Sequence, residues 1–329
     1  MRKVILINVG TPSSFEPDDV GVYLKEFLMD ENIISIPRPF RDFLVKGLIV
    51  PKRKYSSAEK YKKIWTDQGS PLLVGSESLK KKLQEYLGAS WQVEIGMQVG
   101  KPSLKEVLEN SLKSSDEIYF CPLYPQYATA TTGGALQLLK FLSQGIRVQI
   151  LSPFYQEPWF IQSASEKIKM QLKPHDFLLL SYHGLPVSQL KKHRVSCYQT
   201  EVCCEKSAAC IENCYRAQCL MTSKLIQKEL QHDQVVTSFQ SRLGKGKWIE
   251  PSSQEIVNDL LQQGVRHLKV ACPSFVVDCL ETLEEIGMEL KTQFLQRGGE
   301  SFELIPCVND SDAFIQGLGN QLKNLKLTI

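Results

Sequence analysis

The chain contains 329 residues, of which 39 are basic and 36 acidic, so its formal net charge is +3 at pH 7. With 43% hydrophobic and 23% charged residues it has the composition of a globular protein, which excludes disordered and fibrous classes. The nearly balanced charge also argues against a dedicated nucleic-acid-binding protein, because such proteins usually carry a strongly basic domain.

Short β-branched runs alternate with amphipathic helical patterns along the whole sequence, which predicts parallel sheets flanked by helices. The predicted strands are Val4–Val9, Gln92–Gln98, Glu117–Cys121, Arg147–Leu151, Phe177–Tyr182, Gln234–Phe239, His267–Cys272 and Phe302–Ile305. The clearest predicted helices are Asp18–Met29, Ser76–Leu87, Gln254–Gln263 and Asp278–Gln296. The spacing predicts an α/β fold made of two four-stranded halves of the same plan.

We expect one domain at residues 1–152 and a second at 153–310, followed by a C-terminal helix at 311–329 that packs back on the body. The N-terminal MRKVILINVGTP predicts a first strand rather than a signal peptide, because its apolar run is too short. No run approaches the ~18 apolar residues of a membrane-spanning helix. A cytoplasmic protein is therefore expected, and its thiols would stay reduced.

An apolar segment interrupted by prolines covers residues 28–50 and is followed by the basic run Lys52, Arg53 and Lys54. Pattern alone does not separate a core helix from an exposed apolar lip beside a ligand pocket. The basic run is typical of a solvated surface, and beside such a lip it could also bind the carboxylates of a ligand.

Histidine 183 follows the apolar run FLLLSY, where a buried strand should end. In α/β sheets, functional sites form beyond the carboxyl ends of the strands, and imidazole suits proton abstraction or metal binding near neutral pH. The alternative is a structural hydrogen-bonding histidine. Phosphate-loop, dinucleotide-binding and G-x-S-x-G motifs are absent from the sequence, so nucleotide use and ordinary α/β-hydrolase chemistry are not supported.

Glu281, Glu285 and Glu289 recur at every fourth position of the predicted helix that follows VACPSF. A helix places them on one stripe, and such a stripe of like charges suits a proton path or a cation track. Asp278 lies one turn earlier and could join the path or cap the helix. The alternative is a solvated acidic face.

Residues 121–135, CPLYPQYATATTGGA, combine two tyrosines with small residues at a predicted strand-to-helix junction. Flat aromatic faces beside a glycine-rich backbone suit a planar ligand, although a packed turn has the same composition.

Six of the ten cysteines fall between positions 197 and 219. Their spacing does not match a C-x₂-C zinc ribbon, and an all-thiolate site suits an iron–sulfur cluster or a Cys₄ zinc site. Redox disulfides and inert buried thiols are the alternatives.

Taken together, these stretches resemble ferrochelatase, the family that inserts ferrous iron into a porphyrin. The matching motifs are LINVGTP, GSPL at 69–72, LYPQYATATTGG, SYHGLP, TSFQSRLG at 237–244 and CPSFVVDCLETLEEI, in order from residue 4 to about 309. The resemblance implies two Rossmann-like halves with a porphyrin cleft between them. It also implies Fe²⁺ and a porphyrin, protoporphyrin IX first, as substrates, with release of two protons as haem forms.

By resemblance, His183 and Glu281 are the catalytic residues that contact the incoming Fe²⁺, and Asp278 with Glu285 forms the proton or cation path. Cys279 stands where some relatives carry a second histidine. The implied porphyrin-binding positions are Val9, Arg53, Tyr61, Ser70, Tyr124, Tyr127 and Phe275.

The chain is longer than simpler relatives between SYHGLP and CYRAQC, and this insertion, at about 190–219, carries the cysteines. It resembles the subset that binds a [2Fe–2S] cluster through an internal segment. The first choice of cluster ligands is Cys197, Cys204, Cys214 and Cys219, with Cys203 and Cys210 as reserves.

Two other functions remain open. One is a chelatase acting on coproporphyrin III or inserting cobalt or nickel, and the other is a non-catalytic iron–sulfur sensor or tetrapyrrole carrier. Partners would be the porphyrin, ferrous iron and a delivery protein, with peripheral membrane contact at the apolar segment and no nucleic acid.

Overall fold

The computed structural model describes residues 2–34, 36–114, 117–143, 148–193, 203–204, 212, 214–242 and 246–325, without the side chains of 191–193. Within these described residues lie eight strands: β1 Arg2–Thr11, β2 Trp91–Gly100, β3 Glu117–Pro122, β4 Val148–Ile150, β5 Phe177–His183, β6 Val235–Gln240, β7 His267–Ala271 and β8 Ser301–Leu304. Each corresponds to one of the predicted strands, so the predicted α/β plan is confirmed. Arg147, the predicted start of the fourth strand, lies outside the described residues.

The helices fall between the strands as the alternation predicts. In the part of the chain that the structure describes, the α-helices are α1 Pro17–Leu28, α2 Arg38–Asp42, α3 Val50–Ile64, α4 Pro71–Leu87, α5 Leu104–Ser114, α6 Gly134–Leu142, α7 Pro158–Lys169, α8 Val187–His193, α9 Tyr215–Leu230, α10 Ser253–Gln262, α11 Lys291–Gln296 and α12 Asp312–Asn324. The π-helices of the same residues precede α3, α6 and α11 and are π1 Phe43–Ile49, π2 Thr129–Gly133 and π3 Glu281–Leu290. None of the described helices is long and apolar enough to cross a bilayer.

The chain divides into two compact units. Unit 1 comprises Met1–Leu123, Ala128–Ser152 and Ile315–Ile329, and unit 2 comprises Tyr124–Tyr127 and Pro153–Phe314.

Unit 1 contains a parallel sheet in the order β2-β1-β3-β4. Residues 3–8 of β1 are buried without interruption, as expected for a central strand of a parallel sheet covered on both faces. Ile5 and Ile7 pack with Leu104 and Leu108 of α5 and with Phe120 of β3. This core fixes β1 so that its carboxyl end, at Val9–Thr11, emerges at the sheet edge where sites form.

Helix α12 also packs within unit 1 from Ile315 onward. The Tyr86 hydroxyl of α4 donates to Asn320 Oδ1 (2.8 Å), and the Lys323 ammonium lies 4.4 Å from the centre of the Tyr86 ring. Gly319 lies against that ring, so closely that an added Cβ would be 2.3 Å from Cδ1. Helix α12 therefore rests on α4.

Unit 2 repeats the same strand order as β6-β5-β7-β8, again with every pair parallel. Leu179 of β5 and Val270 of β7 form its core with Ile286, Leu290 and Phe294 from the helical layer. Two structural signals fix α10: Ser252 and Glu255 form a reciprocal capping box at its start, and Gly264 has a φ of +86° just after its end.

The apolar segment 28–50 is partly exposed in unit 1. Phe40 and Phe43 are each 70% exposed and Leu48 is 45% exposed, whereas Val45 is fully buried. Of the two interpretations that the sequence left open, this exposure favours a surface lip over a core helix.

Candidate functional site

His183 is the last residue of β5, the strand that pairs with both β6 and β7. Side chains hold its backbone at both the N–H and the carbonyl. The His183 N–H donates to Ser274 Oγ (3.0 Å), and the Tyr215 hydroxyl donates to the His183 carbonyl (2.8 Å). The imidazole therefore lies at the carboxyl edge of the sheet, on a backbone held by hydrogen bonds from neighbouring side chains.

The His183 ring is partly buried and lies edge-on to Phe275, with ring centroids 6.1 Å apart. Its Nδ1 atom is buried and has no hydrogen-bond partner among the residues that the structure describes. Burial lowers the pKa of His183, and the Glu281 carboxylate opposes part of that shift. A lowered pKa favours the neutral ring, which can accept a proton or bind a metal ion.

The acidic segment forms π3, whose hydrogen bonds run from i to i+5 and which begins at Glu281 rather than at the predicted Asp278. Glu281 and Glu285 are partly buried, while Glu289 is exposed. The Ser241 hydroxyl donates a hydrogen bond to the Glu285 carboxylate. Only the first two carboxylates of the stripe, Glu281 and Glu285, are therefore partly shielded from solvent. Glu289 is solvated, as the alternative interpretation of the stripe expected.

Asp278 lies before π3 and does not cap it, since the residue preceding the helix is Leu280. Its carboxylate accepts hydrogen bonds from Thr282 Oγ1 (3.1 Å), the Cys307 N–H (3.3 Å) and Asn309 Nδ2 (2.7 Å). These bonds tie the loop before π3 to the segment after β8.

Tyr124 and Tyr127, the predicted aromatic wall, belong to unit 2 and are held by α9. Tyr124 is buried and Tyr127 partly so. Gln218, which is fully buried, accepts a hydrogen bond from the Tyr127 N–H (2.7 Å), and Gln126 Nε2 donates to Thr222 Oγ1 (3.1 Å).

Sequence analysis missed Tyr215, Gln218 and Thr222. All three lie in or just after the CYRAQC stretch, where the cysteines dominated the interpretation. A usable signal was present, because polar side chains at these positions of a helix beside an apolar strand need buried partners.

The predicted porphyrin-binding residues of unit 1 differ in their surroundings. Val9 and Ser70 lie at the carboxyl end of β1, where the Thr11 hydroxyl donates to Ser70 Oγ (2.7 Å). Tyr61 is only 5% exposed and packs edge-on against Tyr23 and Trp65, with centroids 6.2 and 6.1 Å apart. These contacts give Tyr61 a core role in unit 1.

The basic residues on α3 also differ in their surroundings. Arg53 is partly exposed, whereas Lys54 pairs with Asp18 (2.7 Å). The Asp18 carboxylate raises the pKa of Lys54, so this ammonium is held in an ion pair. Of the two, Arg53 remains the better candidate for a ligand carboxylate.

Four of the six clustered cysteines lie within the described residues; Cys197 and Cys210 lie outside them. Cys204 Sγ is 3.7 Å from Cys203 Sγ and 3.6 Å from Cys214 Sγ. The hydrogen bond with Cys214, aided by the Arg216 guanidinium, lowers the pKa of Cys204 to about 6 although burial opposes the change.

Cys219 has a different environment from the other three thiols. It is fully buried, and burial raises its pKa well above the ordinary value. In the part of the chain that the structure describes, no group of three or more His, Cys, Asp or Glu side chains is arranged to hold a metal ion.

Comparison with known proteins shows the family of this chain. A family model described as Ferrochelatase matches residues 2–325. A protein named ferrochelatase from Legionella pneumophila strain Philadelphia 1 is 42% identical over 326 residues, covering 96% of this chain and 97% of the relative. Proteins of the same name from Bdellovibrio bacteriovorus (39% identity, 98% and 99% covered) and Coxiella burnetii strain Dugway (40%, 97% and 92%) are similarly close.

Among solved structures, the sirohydrochlorin chelatase SirB of Bacillus subtilis subspecies spizizenii, in complex with cobalt, resembles this chain with a TM-score of 0.55. The similarity covers 98% of this chain and 94% of that one at 10% identity. SirB from Bacillus subtilis with Fe³⁺ gives a TM-score of 0.53, also at 10% identity, with 98% and 95% covered. At this identity the likeness concerns the fold alone.

Proposed function

The chain belongs to the ferrochelatase family and inserts Fe²⁺ into a porphyrin, and from that premise we propose that His183 and Glu281 are the pair that carries the reaction. The observation that supports this most is the position of the His183 ring, which is partly buried at the carboxyl edge of the unit 2 sheet and whose pKa the Glu281 carboxylate raises against the larger effect of burial. This is the position where α/β sheets perform chemistry.

The reaction needs a base because a free porphyrin carries two pyrrole protons that must leave as the metal enters. A histidine whose pKa lies below its ordinary value is unprotonated at neutral pH and can take up one of them. The adjacent Glu281 carboxylate stabilises the imidazolium that forms, and both groups can contact the incoming Fe²⁺.

Glu285 is the second carboxylate of the stripe that begins at Glu281, it is partly buried, and it accepts a hydrogen bond from Ser241. We assign it, with Asp278, to the path by which protons or cations move. Of the two carboxylates, Asp278 should exchange protons or cations less readily, because both of its oxygens already accept hydrogen bonds.

Glu281→Gln tests this assignment, and Glu289→Gln on the same π-helix is the matched control. We expect the rate of Fe²⁺ insertion to fall about 100-fold or more in Glu281→Gln, within the range associated with loss of a general acid–base group, and to stay within about twofold in Glu289→Gln. Equal and small effects would contradict the assignment and reduce the stripe to a surface feature.

For the porphyrin we propose contacts from Val9, Arg53, Ser70, Tyr61, Tyr124, Tyr127 and Phe275. Phe275 is the best supported, because its ring already touches His183. Tyr61 is the least supported, because its ring is committed to Tyr23 and Trp65. Protoporphyrin IX is the proposed substrate, and insertion rates with protoporphyrin IX and coproporphyrin III measured side by side test that choice.

We also propose a [2Fe–2S] cluster on the cysteine-rich insertion, with Cys197, Cys204, Cys214 and Cys219 as ligands and Cys203 and Cys210 as alternates. Two thiolates of a tetrahedral metal with bonds of about 2.3 Å lie about 3.8 Å apart, close to the observed Cys204–Cys214 separation of 3.6 Å. The lowered pKa of Cys204 favours the thiolate that a metal requires.

Cys219 fits this group less well than Cys204 and Cys214, because burial favours its neutral thiol. Cys203 is therefore the first alternate for the fourth ligand. When bound, such a cluster would supply one-electron redox chemistry and cross-link the insertion.

The visible absorption of protein purified without oxygen tests the cluster. Bands that bleach on reduction and that disappear in Cys204→Ser but not in Cys307→Ser support it. A colourless protein that contains zinc would contradict it and favour a structural Cys₄ site.

We also propose that the enzyme is cytoplasmic. The exposed aromatic lip at Phe40 and Phe43 supports the proposal that porphyrin reaches the enzyme at a membrane surface or from a delivery protein. Sedimentation with phosphatidylglycerol vesicles, compared between the natural chain and the Phe40→Ser/Phe43→Ser variant, tests the membrane form of this proposal. Unchanged association of the variant would contradict it.

A further inference from the structure

Gln240 is the last residue of β6 and is 5% exposed. It stands opposite His183 in the parallel register of β5 and β6. Its carbonyl accepts a hydrogen bond from the Gly184 N–H (2.8 Å), immediately after the histidine. Gly184 permits this approach, because an added Cβ would lie 2.5 Å from the Gln240 carbonyl oxygen.

The Gln240 side chain makes a second set of contacts across the sheet edge. Its Oε1 accepts a hydrogen bond from Ser181 Oγ (2.8 Å), two residues before His183 on the same strand. Its Nε2 donates to the carbonyl of Glu281 (2.8 Å), the first residue of π3. The thiol of Cys272, just after β7, also approaches Oε1 at 3.7 Å.

One buried amide therefore joins the strand that carries the histidine to the helix that carries the glutamate. We propose that Gln240 is a positioning residue that fixes the separation and orientation of the His183 ring and the Glu281 carboxylate. This inference rests on the proposed roles of those two residues.

The chemistry of the amide explains why this residue type suits the position. The contact to Ser181 needs an acceptor and the contact to the Glu281 carbonyl needs a donor. Among side chains of this length, glutamine supplies both without a charge, whereas ionised glutamate only accepts and methionine offers neither a donor nor a strong acceptor. In a buried location, loss of either bond also leaves a polar partner unsatisfied.

A displacement at this point has functional consequences because the reacting groups must be held in register. A misplacement of about 1 Å can cost about 100-fold in rate, even when the altered residue does not touch the substrate. Loss of the Gln240 side chain frees the start of π3 from β5 without removing any group that we assign to porphyrin binding. The turnover rate should therefore fall while porphyrin binding is kept.

The test compares Gln240→Met with Ser253→Ala, a matched change in the same buried network. Ser253 Oγ contacts Ser181 Oγ and Ser238 Oγ, each at 2.8 Å, and does not reach π3. Insertion of Fe²⁺ is measured for kcat and for the KM of porphyrin, and thermal unfolding midpoints of both variants are recorded. We expect at least a tenfold lower kcat in Gln240→Met with the porphyrin KM within threefold, and a kcat within twofold of the natural chain in Ser253→Ala.

A kcat within twofold of the natural chain in Gln240→Met would overturn the inference, as would equal losses of kcat in both variants. If Gln240→Met does not fold, Gln240→Glu takes its place. This variant keeps an oxygen that accepts the hydrogen bond from Ser181 and loses the N–H that donates to the Glu281 carbonyl. Glu281→Gln is assayed in parallel. If Glu281→Gln loses activity while the Gln240 variants keep it, the positioning role alone fails; if Glu281→Gln keeps full activity, the proposed function fails with it.

Discussion

Replacing Tyr215 by Phe removes one hydroxyl that holds the backbone of His183. That hydroxyl donates to the His183 carbonyl at 2.8 Å from a side chain that is 6% exposed. A buried carbonyl that loses its partner costs about 1–3 kcal/mol, so we expect the free energy of unfolding to fall by that amount. For a unit of this size the thermal midpoint should fall by about 2–4 °C per kcal/mol.

The activity should fall further than this loss of stability would suggest, because the histidine ring loses its anchor. We expect at least a tenfold reduction in kcat for Fe²⁺ insertion, since small displacements of a reacting group are costly. Tyr182→Phe is the matched control. Its hydroxyl is also buried and bonds Ser223 Oγ (2.9 Å), which keeps a second bond from Thr237 (2.7 Å).

Denaturant unfolding and steady-state insertion kinetics, measured on both variants, separate the two effects. We predict a loss of stability in both variants, with a large loss of kcat in Tyr215→Phe only. Normal turnover in Tyr215→Phe, or an equal loss of turnover in Tyr182→Phe, would refute the anchoring role of the Tyr215 hydroxyl.

Three further predictions follow from the same geometry. In Glu281→Gln the pKa of His183 should fall further, because the carboxylate that raises it is gone, and NMR titration of the imidazole would refute this by an unchanged or higher pKa. Ser252→Ala should lower the free energy of unfolding by about 1 kcal/mol at pH 7. The cap lowers the pKa of Glu255, so the stabilisation by this carboxylate is present above its unfolded pKa of about 4.5 and is lost as the pH falls through its folded pKa. A cost of the substitution that does not shrink at pH 3 would contradict the cap. Gln218→Leu should weaken porphyrin binding several-fold in fluorescence titrations by releasing the Tyr127 N–H, whereas Gln227→Leu, later on the same helix, should not; equal affinities would show that Gln218 does not hold this segment.

The fold was largely predictable because strand and helix patterns alternate with little ambiguity. Uninterrupted burial in β1 and β5 matches the apolar runs that predicted them. The position of His183 followed from one rule about the carboxyl ends of strands. The π-helical form of Glu281–Leu290 was not predictable, because periodicity indicates a helix without distinguishing i+4 from i+5 hydrogen bonding.

The sequence could indicate that polar side chains near the site need buried partners, but it could not identify those partners. Gln240, Gln218 and Tyr215 act through partners that are 41, 91 and 32 residues away along the chain. No local pattern encodes such pairings, since they depend on which strand ends meet in the sheet. Tyr61 illustrates a different limit of the sequence. The family resemblance implied that it binds the porphyrin, but its ring packs against Tyr23 and Trp65.

The rate of Fe²⁺ insertion by His183→Ala, at saturating porphyrin, tests whether this histidine carries the reaction. Porphyrin affinity and the thermal midpoint, measured on the same sample, establish that the variant is folded and binds its substrate. We predict that insertion is abolished while porphyrin binding is retained. Near-normal turnover in a folded His183→Ala protein would contradict the assignment of the base and, with it, the proposed pairing of His183 with Glu281.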